Sequence, residues 1–336
     1  MDEASLVKEV ELWARENGGF EEHRFFRTSG SSGEEKWVAL SNRALEWSAR
    51  SVIEALEISS QDVLGLALPV IHVGGYGLML RAKISGATLI EFESCWNPED
   101  FTHWCDVNAV SISSLVPTQV HDLVKIQASC PTSIRKIVVG GGELDEGLAG
   151  RARLLGWPVI PSYGMTETSS QVATGDGLPL LPGWDAKIVE GRLALKGGGL
   201  FTSIIRKKDG GFVAEDPKMD GWYVTNDRCD LSGEGLRILG RADRLIKVLG
   251  ELIDLEGLEN FWRNKLGCEV ALVTRPDERR GVNLLLFHEG TEMDLMDWNS
   301  SLPGPERISD AIAVDLLPRS VLGKIDRSAL SKFHAD

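Results

Sequence analysis

The sequence predicts an α/β protein with two domains, a large one over residues 1–240 and a small α+β one over 241–336. Three observations predict this. The 336 residues exceed the ~250–300 at which a single hydrophobic core stops growing. Between residues 63 and 156, short apolar runs alternate with helix-like segments, as parallel β-α-β units require. After Tyr163 the rhythm changes to short alternating runs broken by Gly and Asp, which is the pattern of antiparallel hairpins.

The elements follow in order. Residues 6–16 (LVKEVELWARE) space their apolar side chains as a short amphipathic helix. A polar, glycine-rich segment occupies Thr28–Lys36. Asn42 is placed to cap a second helix with Leu45, Val52, Ile53 and Leu56 on its buried face. The runs 63–69, 87–92, 109–117 and 134–141 read as strands, with helices at 117–126 and 144–156 between them. Residues 185–240 read as hairpins. From Arg241 a helix (LEGLENFWRNKL) and two strands (EVALVTR, VNLLLFHE) make the small domain, with the boundary near Gly240–Asp243.

Composition narrows the functions. With 36 Lys and Arg against 50 Asp and Glu, the net charge is −14. That argues against a broad nucleic-acid surface, while leaving room for one local positive pocket. Apolar content of 43% and charged content of 26% are those of a folded globular chain. The acidic start Met1-Asp2-Glu3 lacks the order of a signal peptide. The most apolar stretch, Val63–Leu80, is broken by Pro69, His72 and glycines and makes a poor membrane span. Five scattered cysteines without a CxxC pair read as reduced thiols, so a cytoplasmic location is expected.

Three segments carry chemistry. Thr28-Ser29-Gly30-Ser31-Ser32-Gly33, followed by Lys36, can wrap hydroxyls and backbone N–H groups around phosphate oxygens. It equally fits a surface loop, and it is not a GxxxxGK[ST] P-loop. Ser162–Thr168 (SYGMTET) would present a hydroxyl and a carboxylate on an exposed turn, where Glu167 could hold Mg²⁺; a plain capped turn explains it as well. Third come Trp222–Asp227, Gly240–Arg244 and Gly323–Arg327, where an Asp could hold a ribose diol and Arg or Lys could meet phosphate. Gly140-Gly141-Gly142 does not open a GxGxxG fingerprint, because Asp145 stands at the third glycine position.

Taken in order, TSGSSGxxK, YGMTET, WYxTxD, GRxDRxIK and PRxxxGKxxR resemble the acyl-adenylate-forming (AMP-binding) superfamily from about Arg27 to Arg327. Within it, SLVPTQ (114–119), YGMTETSSQVAT (163–174) and PLLPGWDAKIVEGRLALKG (179–197) look most like the o-succinylbenzoate–CoA ligases. The resemblance implies a large multi-layer α/β domain, here shortened at the N-terminus, that binds AMP and the acyl substrate, and a C-terminal lid. It implies ATP, Mg²⁺ and coenzyme A acting on a small carboxylic acid: first an acyl-adenylate, then a thioester. A homo-oligomer is left open.

It also implies residue roles. Thr28 to Gly33 and Lys36 would close on the ATP phosphates. Gly141, Gly142 and Glu143 would wall the adenine, with Tyr163 stacking nearby. Thr166 would meet the α-phosphate and Glu167 would ligate Mg²⁺. Asp227 would take the ribose hydroxyls, with Arg241 beside it. Lys324 would serve adenylation, Asp243 would be the hinge, and the stretch around Gly250 would meet CoA. His72, Gly74 and Gly75 would form part of the acyl wall. Arg81 would take the acid's second carboxylate, unless it is a solvated helix-face residue. Gln119 and Ser170 would add polar contacts.

The chain departs from the family pattern at Glu35, where Pro is usual, at Asn226, where Gly is usual, and at Leu249, where close relatives have Gly. Alternatives to the ligase reading are another aryl-CoA ligase, an adenylation domain charging a carrier protein, and a non-catalytic nucleotide binder.

Overall fold

The computed structural model describes residues 3–29, 35–208, 211–232, 235–277, 279–290, 295–300, 302–319 and 325–332. Two compact units emerge: Met1–Thr225 with Asp230–Arg237, and Asn226–Cys229 with Ile238–Asp336.

The first unit opens with α1 (Glu3–Asn17), β1 (His23–Ser29) and β2 (Glu35–Ser41). β1 and β2 pair antiparallel, with Thr28 opposite Lys36. Helix α2 (Asn42–Leu56) starts one residue earlier than expected: Ser41, not Asn42, is its cap and accepts from Ala44 N–H. Leu45, Val52 and Leu56 are buried along it, whereas Ile53 is only half-buried at the stripe's edge.

Then come β3 (Val63–Leu66), α3 (Val73–Ser85), β4 (Thr88–Glu91), α4 (Pro98–Val107), β5 (Ile112–Leu115), α5 (Pro117–Lys125), β6 (Lys136–Val139), α6 (Glu146–Leu154), β7 (Val159–Met165) and β8 (Ser170–Thr174). They form a six-stranded sheet in the order β4-β3-β5-β6-β7-β8. It is parallel through β7, with β8 antiparallel at one edge. Every residue of β5 is buried, as expected of a central parallel strand covered on both faces. The expected strands run one to three residues longer than the observed ones, except at Val63, where β3 starts as expected, because the apolar runs continue past the last ladder pairs.

Two more antiparallel sheets complete this unit. β9 (Asp185–Val189), β10 (Arg192–Lys196) and the turn end of a hairpin, β13 (Tyr223–Ser232) with β14 (Gly235–Arg241), lie in the order β14-β13-β10-β9. β11 (Ser203–Lys208) and β12 (Gly211–Glu215) extend the first hairpin as β1-β2-β11-β12. α1 covers one face of that sheet through Val10 and Ala14 against Phe25, Trp37, Ala39 and Ile205. The other face packs Phe26, Val38 and Leu40 against Leu45, Ala49 and Leu80.

The ends of the parallel strands are unlike. At their starts, Arg135 donates to Asp62 Oδ1 at 2.8 Å and Oδ2 at 3.0 Å, and to the carbonyls of Leu56 and Glu57. Ser111 adds a hydroxyl to Asp62 at 2.9 Å. This clamp ties the end of α2 to the starts of β3, β5 and β6. At the carboxyl ends lie His72, Gln119 in the first turn of α5, the loop Gly141–Glu143, and Tyr163–Thr166 at the end of β7, where open α/β sheets place their ligands.

The second unit contains the hairpin β15 (Leu245–Val248) and β16 (Glu251–Asp254), α7 (Leu255–Leu266), β17 (Val270–Asp277), β18 (Gly281–His288), α8 (Leu295–Asn299), β19 (Asp310–Ala313) and α9 (Arg327–Lys332). Its sheet runs β17-β18-β19, and Leu258 and Trp262 of α7 pack on Val270, Leu272, Leu284 and Leu286. The helix expected at LEGLENFWRNKL is α7 residue for residue.

Candidate functional site

In the first unit, the turn after β7 gathers several expected residues. Gly164 explains its place in YGMTET: a Cβ there would lie 1.9 Å from the Ser170 carbonyl oxygen, so only glycine lets β7 and β8 close at this point. Thr166-Glu167-Thr168 form one 3₁₀ turn. The expectation of an exposed turn is corrected: Glu167 is 7% exposed and Thr168 fully buried. The segment folds inward because Thr168 Oγ1 accepts from Met165 N–H at 3.1 Å and donates to the Ser170 carbonyl at 2.9 Å.

Lys36, at the start of β2, donates from Nζ to Glu167 Oε1 at 2.7 Å. Two sequence-distant candidates are therefore neighbours, and Lys36 lies in a strand rather than a loop. Thr28 stands opposite Lys36 in the hairpin, with its hydroxyl buried and unpartnered among the described residues. Ser29 ends β1. Gly30, Ser31, Ser32 and Gly33 lie outside the described residues.

Glu167 fits a magnesium role. The ion takes hard oxygen donors, commonly one or two carboxylates together with substrate phosphates. Glu167 offers that carboxylate, and no cluster of three or more His, Cys, Asp or Glu occurs among the described residues. A site built with phosphate is consistent with this donor set.

Of the residues expected to meet the acid, Arg81 of α3 is 1% exposed, so the solvated alternative is excluded. Its Nη2 donates to Ser170 Oγ at 3.0 Å, and its Nε–H is buried without a partner among the described residues. Among the described residues no carboxylate pairs with it. Burial pulls its pKa down to about 10, which still leaves it a cation at neutral pH. His72 precedes α3 as its N-cap residue without a side-chain cap bond. Gly75 is required by packing, since a Cβ would lie 2.4 Å from the carbonyl oxygens of Leu68 and Pro69; Gly74 has no such constraint. Gln119 Oε1 accepts from Val116 N–H at 3.0 Å and caps α5, so that oxygen is engaged locally. Gly141 adopts φ 78°, and Gly141, Gly142 and Glu143 form an exposed loop after β6. Tyr163 is half-buried on β7.

In the second unit, Asp227 is 8% exposed and accepts from Arg241 Nη1 at 3.3 Å. Arg241 also grips Asp243 through Nε at 2.8 Å and Nη2 at 2.7 Å, and its backbone N–H donates to Glu256 at 3.0 Å. The Asp243 hydrogen bonds, outweighing burial, raise the Arg241 pKa above its usual value. Gly250 (φ 86°) follows Leu249 (φ 53°) in the two-residue turn between β15 and β16. Both residues are left-handed, as a type I′ turn requires. Lys324 lies outside the described residues.

One residue escaped the sequence reading. Glu259 of α7 is 3% exposed and accepts from Arg244 Nη2 at 2.6 Å, Arg327 Nη2 at 2.7 Å and Leu272 N–H at 2.7 Å. It joins the last arginines of GRADR and GKIDR. The available signal was a carboxylate on the apolar face of Leu255, Leu258 and Trp262.

This arrangement, with candidate residues at the carboxyl ends of a parallel sheet and a buried glutamate beside a lysine, suits an enzyme handling a nucleotide. The chain belongs to the AMP-binding enzyme family, whose profile matches residues 25–193. It is similar to the 2-succinylbenzoate–CoA ligase of Listeria monocytogenes, 28% identical over 329 residues, covering 92% of this chain and 69% of that protein. Among solved structures it resembles the o-succinylbenzoate CoA synthetase of Bacillus subtilis bound to its acyl-adenylate intermediate, with TM-score 0.80, 26% identity and coverage of 92% and 69%. The Bacillus subtilis enzyme in complex with ATP and magnesium ion gives TM-score 0.79 at 27% identity, with coverage of 92% and 70%. No described helix is long and apolar enough to cross a membrane.

Proposed function

We propose that this chain is an ATP-dependent acid–CoA ligase, acting on 2-succinylbenzoate in the cytoplasm. The observation that carries the substrate is Arg81. A buried cation without an anion is costly, by several kcal/mol per ion, and the second, succinyl carboxylate of this acid would supply the missing charge. A monocarboxylic aryl acid would leave Arg81 unmatched. The relatives named 2-succinylbenzoate–CoA ligase support the same reading.

The reacting carboxylate, with a pKa of ~4, is ionised at neutral pH and needs no general base. One of its oxygens attacks the α-phosphorus of ATP, forming the mixed anhydride as the bond to pyrophosphate breaks. The difficulty is bringing an anion to a polyanion, so positioning and charge supply most of the catalysis. Thr28 to Gly33 and Lys36 receive the outer phosphates, and Thr166 meets the α-phosphate. Mg²⁺, held by Glu167 and phosphate oxygens, would neutralise charge on the polyphosphate when bound. Tyr163 and Gly141–Glu143 flank the adenine; Asp227, oriented by Arg241, takes the ribose diol. His72, Gly74 and Gly75 wall the acyl group, and Gln119 can offer its amide N–H to it. Lys324 serves the adenylation step, the stretch at Gly250 serves the thiol, and Asp243 is the pivot between steps. The division at 240/241 then separates an AMP- and acyl-binding domain from a lid. In the second step the CoA thiolate attacks the carbonyl carbon, AMP leaves, and the thiol proton goes to solvent.

The test is acid-dependent pyrophosphate release with ATP and Mg²⁺ over a panel of acids. Release with 2-succinylbenzoate well above benzoate is expected, followed by thioester formation on adding free CoA. Equal rates for both acids would overturn the substrate, and no release with any acid would overturn the activity. Lys324→Ala should abolish release yet spare thioester formation from preformed acyl-adenylate.

A further inference from the structure

Helix α3 carries a glycine one turn before Arg81. A Cβ on Gly77 would lie 3.1 Å from Arg81 Nη2 and 3.5 Å from Ser170 Oγ. Long helical side chains lean back toward the preceding turn, so the guanidinium folds into the space that a side chain at position 77 would fill. Gly77 is buried. Inside a helix glycine is less favourable than alanine by ~1 kcal/mol, and the space it leaves is what it contributes here.

The acceptor on the other side is held just as firmly. Ser169 and Ser170 have φ 57° and 121°, conformations that non-glycine residues keep only when their surroundings impose them. Ser48 Oγ donates to the Ser169 carbonyl at 3.3 Å, and Ser169 Oγ donates to the Gly199 carbonyl at 2.8 Å. Thr168 holds the Ser170 carbonyl. The Ser170 hydroxyl is therefore fixed by its backbone, three residues beyond Glu167. Among the described residues that hydroxyl accepts from Arg81 Nη2, at 3.0 Å.

We propose that Gly77 and Ser170 are a specificity-determining pair that acts through Arg81. Gly77 makes room for the folded-back guanidinium, and Ser170 takes one of its N–H groups and sets its direction. The Nε–H, which has no partner among the described residues, is left for an acid oxygen. Ser170 is thus a positioning residue rather than a direct contact of the acid. This rests on the assignment of the second acid carboxylate to Arg81.

The test measures KM for 2-succinylbenzoate, benzoate and ATP by pyrophosphate release in wild type, Gly77→Ala, Ser170→Ala, Arg81→Ala and the two doubles with Arg81→Ala. Gly77→Ala should raise the dicarboxylate KM about tenfold, the loss expected when a charged hydrogen bond is misplaced. The ATP KM, benzoate KM and kcat should stay within about twofold. In the Arg81→Ala background the penalty should vanish, because the residue it acts through is gone. A penalty that persists there, or that falls equally on benzoate, makes Gly77 a structural residue and overturns the proposal. So does an unchanged dicarboxylate KM in Gly77→Ala while Arg81→Ala raises it. If Arg81→Ala itself spares the dicarboxylate, the acid assignment fails first. Should Gly77→Ala not fold, Ser170→Ala with its double supplies the same comparison.

Discussion

Lys36 Nζ and Glu167 Oε1 are 2.7 Å apart although 131 residues separate them in sequence. The pair joins the start of β2 to the turn after β7, and both side chains are largely shielded from water, at 18% and 9% exposure. A carboxylate with one oxygen on a lysine keeps its other oxygen for a further cation. Such a pair can take a phosphate-bound metal without first building its own negative charge.

Glu167→Gln preserves the shape and removes the charge. Pyrophosphate release should fall by about two to three orders of magnitude, with a raised requirement for Mg²⁺ in a titration of rate against metal. Lys36→Ala should cost less, about tenfold, since phosphate neutralisation is shared with other groups. A Glu167→Gln enzyme with an unaltered magnesium curve would remove Glu167 from the metal.

The clamp at the strand starts makes a pH-dependent stability prediction. The Asp62 carboxyl is held well below the usual carboxylate range, chiefly by hydrogen bonds from Arg135, with burial opposing. Its stabilisation is therefore fully present above the unfolded value of ~3.9 and is lost as pH falls toward the depressed native one. Asp62→Asn should destabilise by about 2–3 kcal/mol near neutral pH. In denaturant melts the gap to wild type should narrow below about pH 4. A gap constant from pH 7 to 3 would contradict the clamp.

Glu259→Ala should loosen the second unit by about 2 kcal/mol, because it strips the shared carboxylate from the partly exposed Arg244 and Arg327 and leaves the buried Leu272 N–H unpaired. Hydrogen exchange at the amides of α7 and β17 reads this directly, and the Leu272 N–H, bonded to Glu259 at 2.7 Å, should lose protection first. Protection equal to wild type would show that the cluster contributes nothing.

At Leu249 the change should be favourable. A left-handed leucine costs ~1–2 kcal/mol, which glycine avoids at some expense in chain entropy. With the side chain 51% exposed, little packing is lost. Leu249→Gly should stabilise the β15–β16 hairpin by about 0.5–1 kcal/mol, seen as slower exchange of its cross-strand amides. Faster exchange would mean that the leucine side chain holds the turn.

Local pattern made much of the fold legible. Alternating apolar runs and helices gave the parallel sheet, since strands covered on both faces must be apolar and their crossovers amphipathic. Helix α7 could be read whole because its period, its Asp254 cap and Gly267 at its end agree. α3 was harder: its glycines and its wide buried surface blur the helical period.

The candidate site was legible as residue types but not as pairs. From the sequence alone Lys36 was a loop cation, Glu167 an exposed carboxylate and Arg81 either a ligand or a solvated residue. What the sequence by itself determined is the alternation of elements and the chemical groups at the ends of the strands, because both follow from short-range periodicity and residue chemistry. What only the tertiary structure decided is which charges are matched: Lys36 with Glu167, Glu259 with two arginines, and Arg81 with no carboxylate among the described residues. Burial and partnership join segments from 15 residues apart, as for Arg244 and Glu259, to 131, as for Lys36 and Glu167, and no local pattern encodes the dielectric surroundings or the distance that sets their energy.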